Sequence, residues 1–181
     1  MIDSIRNAIL LNKEVLVRVD LNVPFNKNNK ISDASRIIAI KPTINLILKN
    51  GGRPILLSHF GRPKKPNDDF YSLKKILPTL SNILKTEILF CNSLDHASIK
   101  TFISNAPKKT VILLENTRFF DGEESNSPTL SKSFSKFGDL YCNDAFSASH
   151  RSHASTVGIP NRLPSFSGLL LEKEVSTLTQ A

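Results

Sequence analysis

Short apolar runs alternate along the chain with longer stretches in which apolar residues recur every three or four positions. The first run is Val15-Leu16-Val17-Arg18-Val19. Ile37, Ile40, Ile44, Ile47 and Leu48 then fall on one face at helical spacing. Ser32 or Asp33 can cap the start of that helix, and Gly51-Gly52 can stop it. Pro42 lies inside the pattern and predicts a kink or a restart. Pro54–Ser58 reads as a second strand, followed by a loop rich in Pro, Lys and Asp at 63–70. Ser72 is placed to cap a helix whose face carries Leu73, Ile76, Leu77, Leu80, Ile83 and Leu84. Ile88–Cys91, Val111–Leu114 and Leu140–Cys142 read as further strands. Asp95 opens a short helix, Ser127-Pro128 pairs a cap with a first-turn proline, and residues 168–179 form a terminal helix. Residues 145–167 are polar and carry no clear period, and a loop of that length is usually functional or disordered.

Strands that are apolar on both faces, alternating with helices, belong to a parallel sheet covered on both sides. Right-handed crossovers then give a doubly wound, mainly parallel, Rossmann-like α/β fold. No repeat, low-complexity segment or internal boundary interrupts it.

Composition narrows the setting. A chain of 181 residues with 40% apolar and 22% charged residues can bury a core, and suggests one domain or one with a tail. No apolar run approaches the ~18 residues of a membrane span. The opening MIDSIRNAILLNKE has an early Asp and no small-residue cleavage site, against a secretory signal. Cys91 and Cys142 each end an apolar run and read as buried thiols in a reduced compartment. No Cys/His set has zinc spacing, so no metal ligand is assigned. Together these features predict a cytoplasmic protein. The net charge of +8 favours anionic partners, whether nucleic acid, an acidic surface or a small anion. Against nucleic acid, the aromatic residues are mostly Phe in apolar runs and are not interleaved with basic residues as a stacking platform requires.

Ligands of open parallel sheets bind beyond the carboxyl ends of the strands. Asp20, Leu21 and Asn22 follow the first run; His59, Phe60, Gly61 and Arg62 follow the second; Glu115, Asn116, Thr117 and Arg118 follow Val111–Leu114. Asn143 and Asp144 follow Leu140–Cys142, with His150, Arg151 and His153 further on, and Arg36 starts the first helix. Five of the eight Arg (Arg18, Arg36, Arg62, Arg118, Arg151) and three of the four His thus sit in or beside these segments. Arg binds carboxylate and phosphate with a rigid two-pronged fork, so this partition suggests recognition of an anion with defined geometry. Taken singly, each Arg is more readily a surface ion-pair partner, Arg18 could pair with an acidic neighbour, and Asp20 and Asp144 could brace turns. There is no G-x-x-x-x-G-K-[ST] loop, no G-x-G-x-x-G after a strand and no G-x-S-x-G elbow. Without the first two, a nucleotide site on this chain is not expected.

The segments VLVRVDLNVP, Ser-Asp-x-x-Arg-Ile at 32–37, LLSHFGRPK, LLENTRFFDGEE, NDAFSASHRSHASTVG and GLLLEKEV resemble, in order and spacing, those of phosphoglycerate kinases, from about Glu14 to Ala181. The resemblance implies reversible phosphoryl transfer between 1,3-bisphosphoglycerate and ADP, giving 3-phosphoglycerate and ATP, with Mg²⁺. It implies that residues 1–170 are the 3-phosphoglycerate-binding N-terminal domain and 171–181 the start of the interdomain helix. The C-terminal nucleotide domain, partner across a hinge and holder of Mg-ATP or Mg-ADP, is absent from this chain. The chain alone is then expected to bind substrate without turnover, to carry no cofactor, to contact neither nucleic acid nor membrane, and to be monomeric. A non-catalytic anion-binding module descended from such a kinase is the alternative. By motif, Asp20, Leu21 and Asn22 match the residues at the glycerate hydroxyl and carboxyl end. His59, Phe60, Gly61, Arg62, Arg118 and Arg151 match the phosphate-holding patch, with Arg18, His150 and His153 as its outer members. Arg36 matches the catalytic arginine nearest the transferring phosphoryl group. Ser147-Ala148-Ser149 replaces the usual Gly-Thr-Ala, Phe60 stands where Leu is usual, and Thr117 where an aliphatic residue is usual.

Overall fold

In the computed structural model, which describes residues 3–179, the apolar runs become the centre of one parallel sheet. Its strands are β1 (Asp3–Ser4), β2 (Glu14–Arg18), β3 (Arg53–Leu57), β4 (Ile88–Cys91), β5 (Val111–Leu114), β6 (Leu140–Asn143) and β7 (Ser165–Ser167), in the order β1-β7-β6-β2-β3-β5-β4. Every pairing is parallel. The helices are α1 (Ser35–Lys49), α2 (Leu77–Leu84), α3 (His96–Asn105), α4 (Pro128–Ser135) and α5 (Leu169–Thr179).

The period-2 geometry of the strands divides the core into two layers. Val15, Val17, Leu56 and Leu113 point to one face, where Ile37, Ile40, Ile44 and Ile47 of α1 and Leu80 and Leu84 of α2 cover them. Leu16, Ile55, Leu57, Ile112 and Leu114 point to the other, against Ile99 and Ile103 of α3 and Leu130 and Phe134 of α4. Burial on both faces is why these strands read as unbroken apolar runs. The predicted doubly wound α/β fold with helices on both faces is present, and the sheet is wholly parallel.

Several local expectations need correction. α1 runs through Pro42 without interruption. The proline leaves the Ile38 carbonyl without its helical donor, but Ile38 is 57% exposed and Pro42 is exposed one turn on, so that carbonyl lies on the solvent side. The Asp33 carboxylate accepts the Ser35 amide at 2.8 Å, just outside the helix. Ser72 caps a 3₁₀ turn, Leu73–Ile76, and α2 begins only at Leu77 with Pro78 in its first turn. Asp95 and Ser127 cap α3 and α4 as the sequence predicts. The stretch 145–167 is built of a 3₁₀ turn (Phe146–Ala148), a π-helical turn (Ala154–Gly158) and β7, with Ala148, Ala154, Ser155 and Ile159 buried. Of the segment 171–181, the last two residues lie outside the described residues.

Candidate functional site

The carboxyl ends of β2, β3, β5 and β6 deliver their loops to one rim, and the buried layer beneath it is polar. Arg18, the last residue of β2, is 0% exposed. Its Nε donates to the Ser155 hydroxyl at 3.0 Å, Nη1 to the Val19 carbonyl, and Nη2 reaches His59 Nδ1 at 3.0 Å. Ser155 in turn gives its hydroxyl and its amide to the two carboxylate oxygens of buried Glu123, at 2.5 and 3.0 Å. Burial raises the Glu123 carboxyl, with Ser155 and Arg18 opposing. Burial, then the Arg18 charge, pushes His59 down to about 3, so its imidazole is neutral.

A second set of contacts fixes the loop after β3. The Asn116 side chain accepts the Phe60 amide at 3.1 Å and donates to the Phe60 and Tyr71 carbonyls at 2.7 and 2.9 Å. Asn22 Oδ1 accepts the Gly61 amide at 3.0 Å, and Arg118 Nη1 donates to the Gly61 carbonyl at 2.5 Å. Gly61 sits at φ +58°, and a methyl there would run into the Tyr71 ring. Gly61→Ala is therefore expected to cost roughly 2–3 kcal/mol in denaturant unfolding, from left-handed backbone strain plus overpacking.

A third cluster occupies a cleft of about 270 Å³ between the ends of β2 and β6, where Asp20, Arg36, Asp144, Ser147 and Glu174 meet. Asp20 Oδ1 accepts the Asn22 amide at 2.9 Å. Its Oδ2 accepts from both Arg36 Nη1 and the Ser147 hydroxyl. Burial would raise the Asp20 carboxyl, but Ser147, Arg36 and the Asn22 amide outweigh it and hold it below its ordinary value. Ser147 is not among the residues at positive φ, so its backbone does not call for glycine. Asp144 lies deeper, its Oδ1 accepting the Leu170 and Leu171 amides at 2.9 and 3.3 Å, where it caps α5. Burial pushes the Asp144 carboxyl up to about 6.

The structure thus gathers most of the sequence-selected residues. Arg118 is lowered by burial, opposed by Glu124 at 3.3 Å, and pushed down further by Arg151, Arg62 and Arg18, which places four guanidiniums within electrostatic reach of one another. His153 is lowered by burial and then by Arg118, Arg151 and Arg18 among its neighbours. Among the described residues, the Arg62 and Arg151 guanidiniums have no hydrogen-bond or ion-pair partner, and Arg118 Nε is buried without one. Arg36 joins the rim through Asp20, its side chain 47% exposed. Two placements differ from expectation, those of Arg18 and of the Leu21 and Phe60 side chains. Arg18 is fully enclosed beneath the rim and is not an outer member. Leu21 and Phe60 turn their side chains into the core, so only their backbones border the site. His150 is exposed and bonds to none of the described residues. Glu123, Ser155 and Ser147 were not picked out from sequence. Among the described residues no three His, Cys, Asp or Glu side chains gather as a metal site, and no helix is long and apolar enough to cross a membrane.

Comparison with known proteins places this rim in context. The family model described as phosphoglycerate kinase matches residues 5–181. A phosphoglycerate kinase of Pseudothermotoga lettingae is 44% identical over 177 residues, covering 98% of this chain and 45% of that protein. One from Cereibacter sphaeroides is 47% identical over 173 residues, covering 95% of this chain and 43% of that protein. The solved phosphoglycerate kinase of Coxiella burnetii superposes with a TM-score of 0.88 at 34% identity, covering all of this chain and 45% of that one. The chain spans less than half the length of these relatives.

Proposed function

The chain belongs to the phosphoglycerate kinase family, and from that premise we propose that it is the 3-phosphoglycerate-binding part of an enzyme that moves a phosphoryl group reversibly between 1,3-bisphosphoglycerate and ADP. The observation that carries this reading is the rim of arginines that do not neutralise one another. Arg118 is held by the Gly61 carbonyl and by Glu124 at 3.3 Å, and Arg62 and Arg151 have no partner among the described residues. Arginine charges gathered in excess of the one exposed carboxylate that faces them, Glu124 beside Arg118, favour an incoming polyanion. In this reading the guanidiniums of Arg62, Arg118 and Arg151, with neutral His59, take the fixed phosphate of the substrate, and His153 and His150 flank them. Asp20 and Asn22 face its hydroxyl and carboxyl end.

Phosphoryl transfer needs positioning and charge stabilisation more than covalent help. Clamping the remote phosphate orients the reacting carboxyl group toward Arg36. The Arg36 guanidinium, a planar cation with several donors, can offset charge on the transferred group. Its salt link to Asp20 ties it to the residue that faces the substrate. Among the described residues no three His, Cys, Asp or Glu side chains gather as a metal site, and we assign the Mg-nucleotide to the part of the family's length that this chain does not span. Residues 1–170 then form the substrate domain, and α5 begins the connection onward. Domain closure over the rim would keep water from the acyl phosphate. We read the protein as cytoplasmic and monomeric, in keeping with two buried free thiols, Cys91 and Cys142.

Titration of the chain with 3-phosphoglycerate, followed by amide NMR, is expected to give saturable shifts around Gly61, Arg62 and Arg118. Arg118→Ala is expected to weaken binding roughly 10- to 100-fold, the worth of a charge-assisted hydrogen bond. Equal binding by this variant and the parent would refute the phosphate assignment.

A further inference from the structure

We infer that Arg18 is a positioning residue that fixes the tautomer of His59, leaving its proton on Nε2, and that Glu123 holds Arg18 to this task through Ser155. For what Nε2–H meets at the rim, this rests on the anion-binding reading above; the tautomer itself does not.

A guanidinium has five donors and no acceptor. The 3.0 Å approach of Arg18 Nη2 to His59 Nδ1 is therefore a hydrogen bond only if Nδ1 presents its lone pair. The ring proton must then sit on Nε2. A cationic imidazole would set two donors and two positive charges against each other. Nε2 bonds to no other group among the described residues, so its N–H remains for a ligand.

Arg18 can hold one ring nitrogen only because its own position leaves no freedom. It is enclosed completely, and each of its three nitrogens is used once: Nε on Ser155, Nη1 on the Val19 carbonyl, Nη2 on His59. The Ser155 hydroxyl donates to Glu123, and so must accept from Arg18. In the chain Glu123–Ser155–Arg18–His59 the carboxylate thus sets the Ser155 proton, and the donor-only guanidinium sets the direction of the remaining bonds. The other charges facing His59 are Asp20 after β2, Arg118 after β5 and Arg151 after β6. Two cations against one anion act with burial to keep the ring neutral. A neutral Nε2–H donor serves an anion at any pH in the cellular range, and unlike a lysine it adds direction to the contact.

Nitrogen-15 NMR of the imidazoles in the 181-residue chain tests this, with His59→Gln used to assign the signals. Between pH 5 and 8 His59 is expected to show an unprotonated Nδ1 and a protonated Nε2, without titrating. A proton on Nδ1, or titration with an ordinary midpoint, would overturn the inference. In Ser155→Ala, with the fold confirmed by amide spectra, the two tautomers are expected to mix; an unchanged His59 signature would remove Glu123 and Ser155 from the role. Arg18→Lys keeps the charge but not the fork and is expected to release the tautomer likewise; a retained signature there would show that charge alone suffices and defeat the proposal. Inorganic phosphate is the ligand probe. If it leaves the Nε2–H signal unmoved while the tautomer stays fixed, the anion reading fails and the positioning role stands.

Discussion

Glu123→Ala is expected to destabilise the chain by about 3–5 kcal/mol, the usual cost of removing one partner from a buried charge system. The loss is not that of a single contact. Arg18 is 0% exposed and lies near Glu123, with Ser155 between them. Without the carboxylate, the Ser155 amide and hydroxyl lose their acceptor, and a guanidinium remains in the interior with its charge opposed only by Asp20 at the rim. Glu123→Gln keeps an acceptor for the Ser155 amide and removes only the charge, so it should lose less. The double variant Glu123→Gln with Arg18→Met removes both charges and should recover part of the deficit. Urea unfolding of the three variants measures this. A cost below about 1 kcal/mol for Glu123→Ala would mean that the pair contributes no more than surface ions do.

Acid should act on the parent chain in two opposing ways, and single variants should separate them. The His59 imidazole falls from 6.5 to about 3 in the fold. As pH drops below 6.5 the unfolded chain takes up this proton and the folded chain does not, so stability is lost from pH 6.5 down to about 3. Asp144 moves the other way, from 3.8 to about 6. Between those values the folded chain holds a proton that the unfolded chain has released, so stability grows as pH falls from 6 to about 4. Each contributes about 1.4 kcal/mol per pH unit within its window. Between pH 6 and 4 the two nearly cancel in the parent. His59→Gln is therefore expected to gain about 3 kcal/mol relative to the parent over that interval, and Asp144→Asn to lose about as much. Urea midpoints at pH 6, 5 and 4 read the difference. Parallel pH profiles for parent and variants would show that neither group titrates differently on folding.

The five long apolar strands and their two-sided burial were legible because Val15–Val17, Ile55–Leu57 and Val111–Leu114 carry no polar position to mistake. β1 and β7 were not. They pair in register as Asp3↔Phe166 and Ser4↔Ser167, and two or three residues of mixed polarity cannot display a period. The π-helical turn was equally silent, since its order comes from Glu123, which receives both the Ala154 amide at its carbonyl and Ser155 at its carboxylate. In the site, residue type revealed the rim arginines, because Arg in a Lys-rich chain stands out. It did not reveal depth. Arg18 and Arg62 are the same letter beside a strand end, yet one is enclosed and the other exposed, and only the fold of distant segments decides which. Glu123 lay within the motif LLENTRFFDGEE, where nothing in the letters sets it apart from its acidic neighbours Asp121 and Glu124. Leu21 and Phe60 were drawn toward the site as members of matched motifs at strand ends, though a strand-end neighbour has an even chance of pointing inward.

The cap that Asp144 places on α5 has a mechanical meaning. One carboxylate oxygen grips the Leu170 and Leu171 amides, and the next three residues lead to Ser147, which grips Asp20. The first turn of α5 is thereby a fulcrum bolted to the arginine rim, and the remaining turns are a lever about 11 Å long. A swing of ten degrees at that fulcrum carries the far end through about 2 Å, so a small adjustment beside Arg36 arrives at Thr179 as a displacement longer than a carbon–carbon bond.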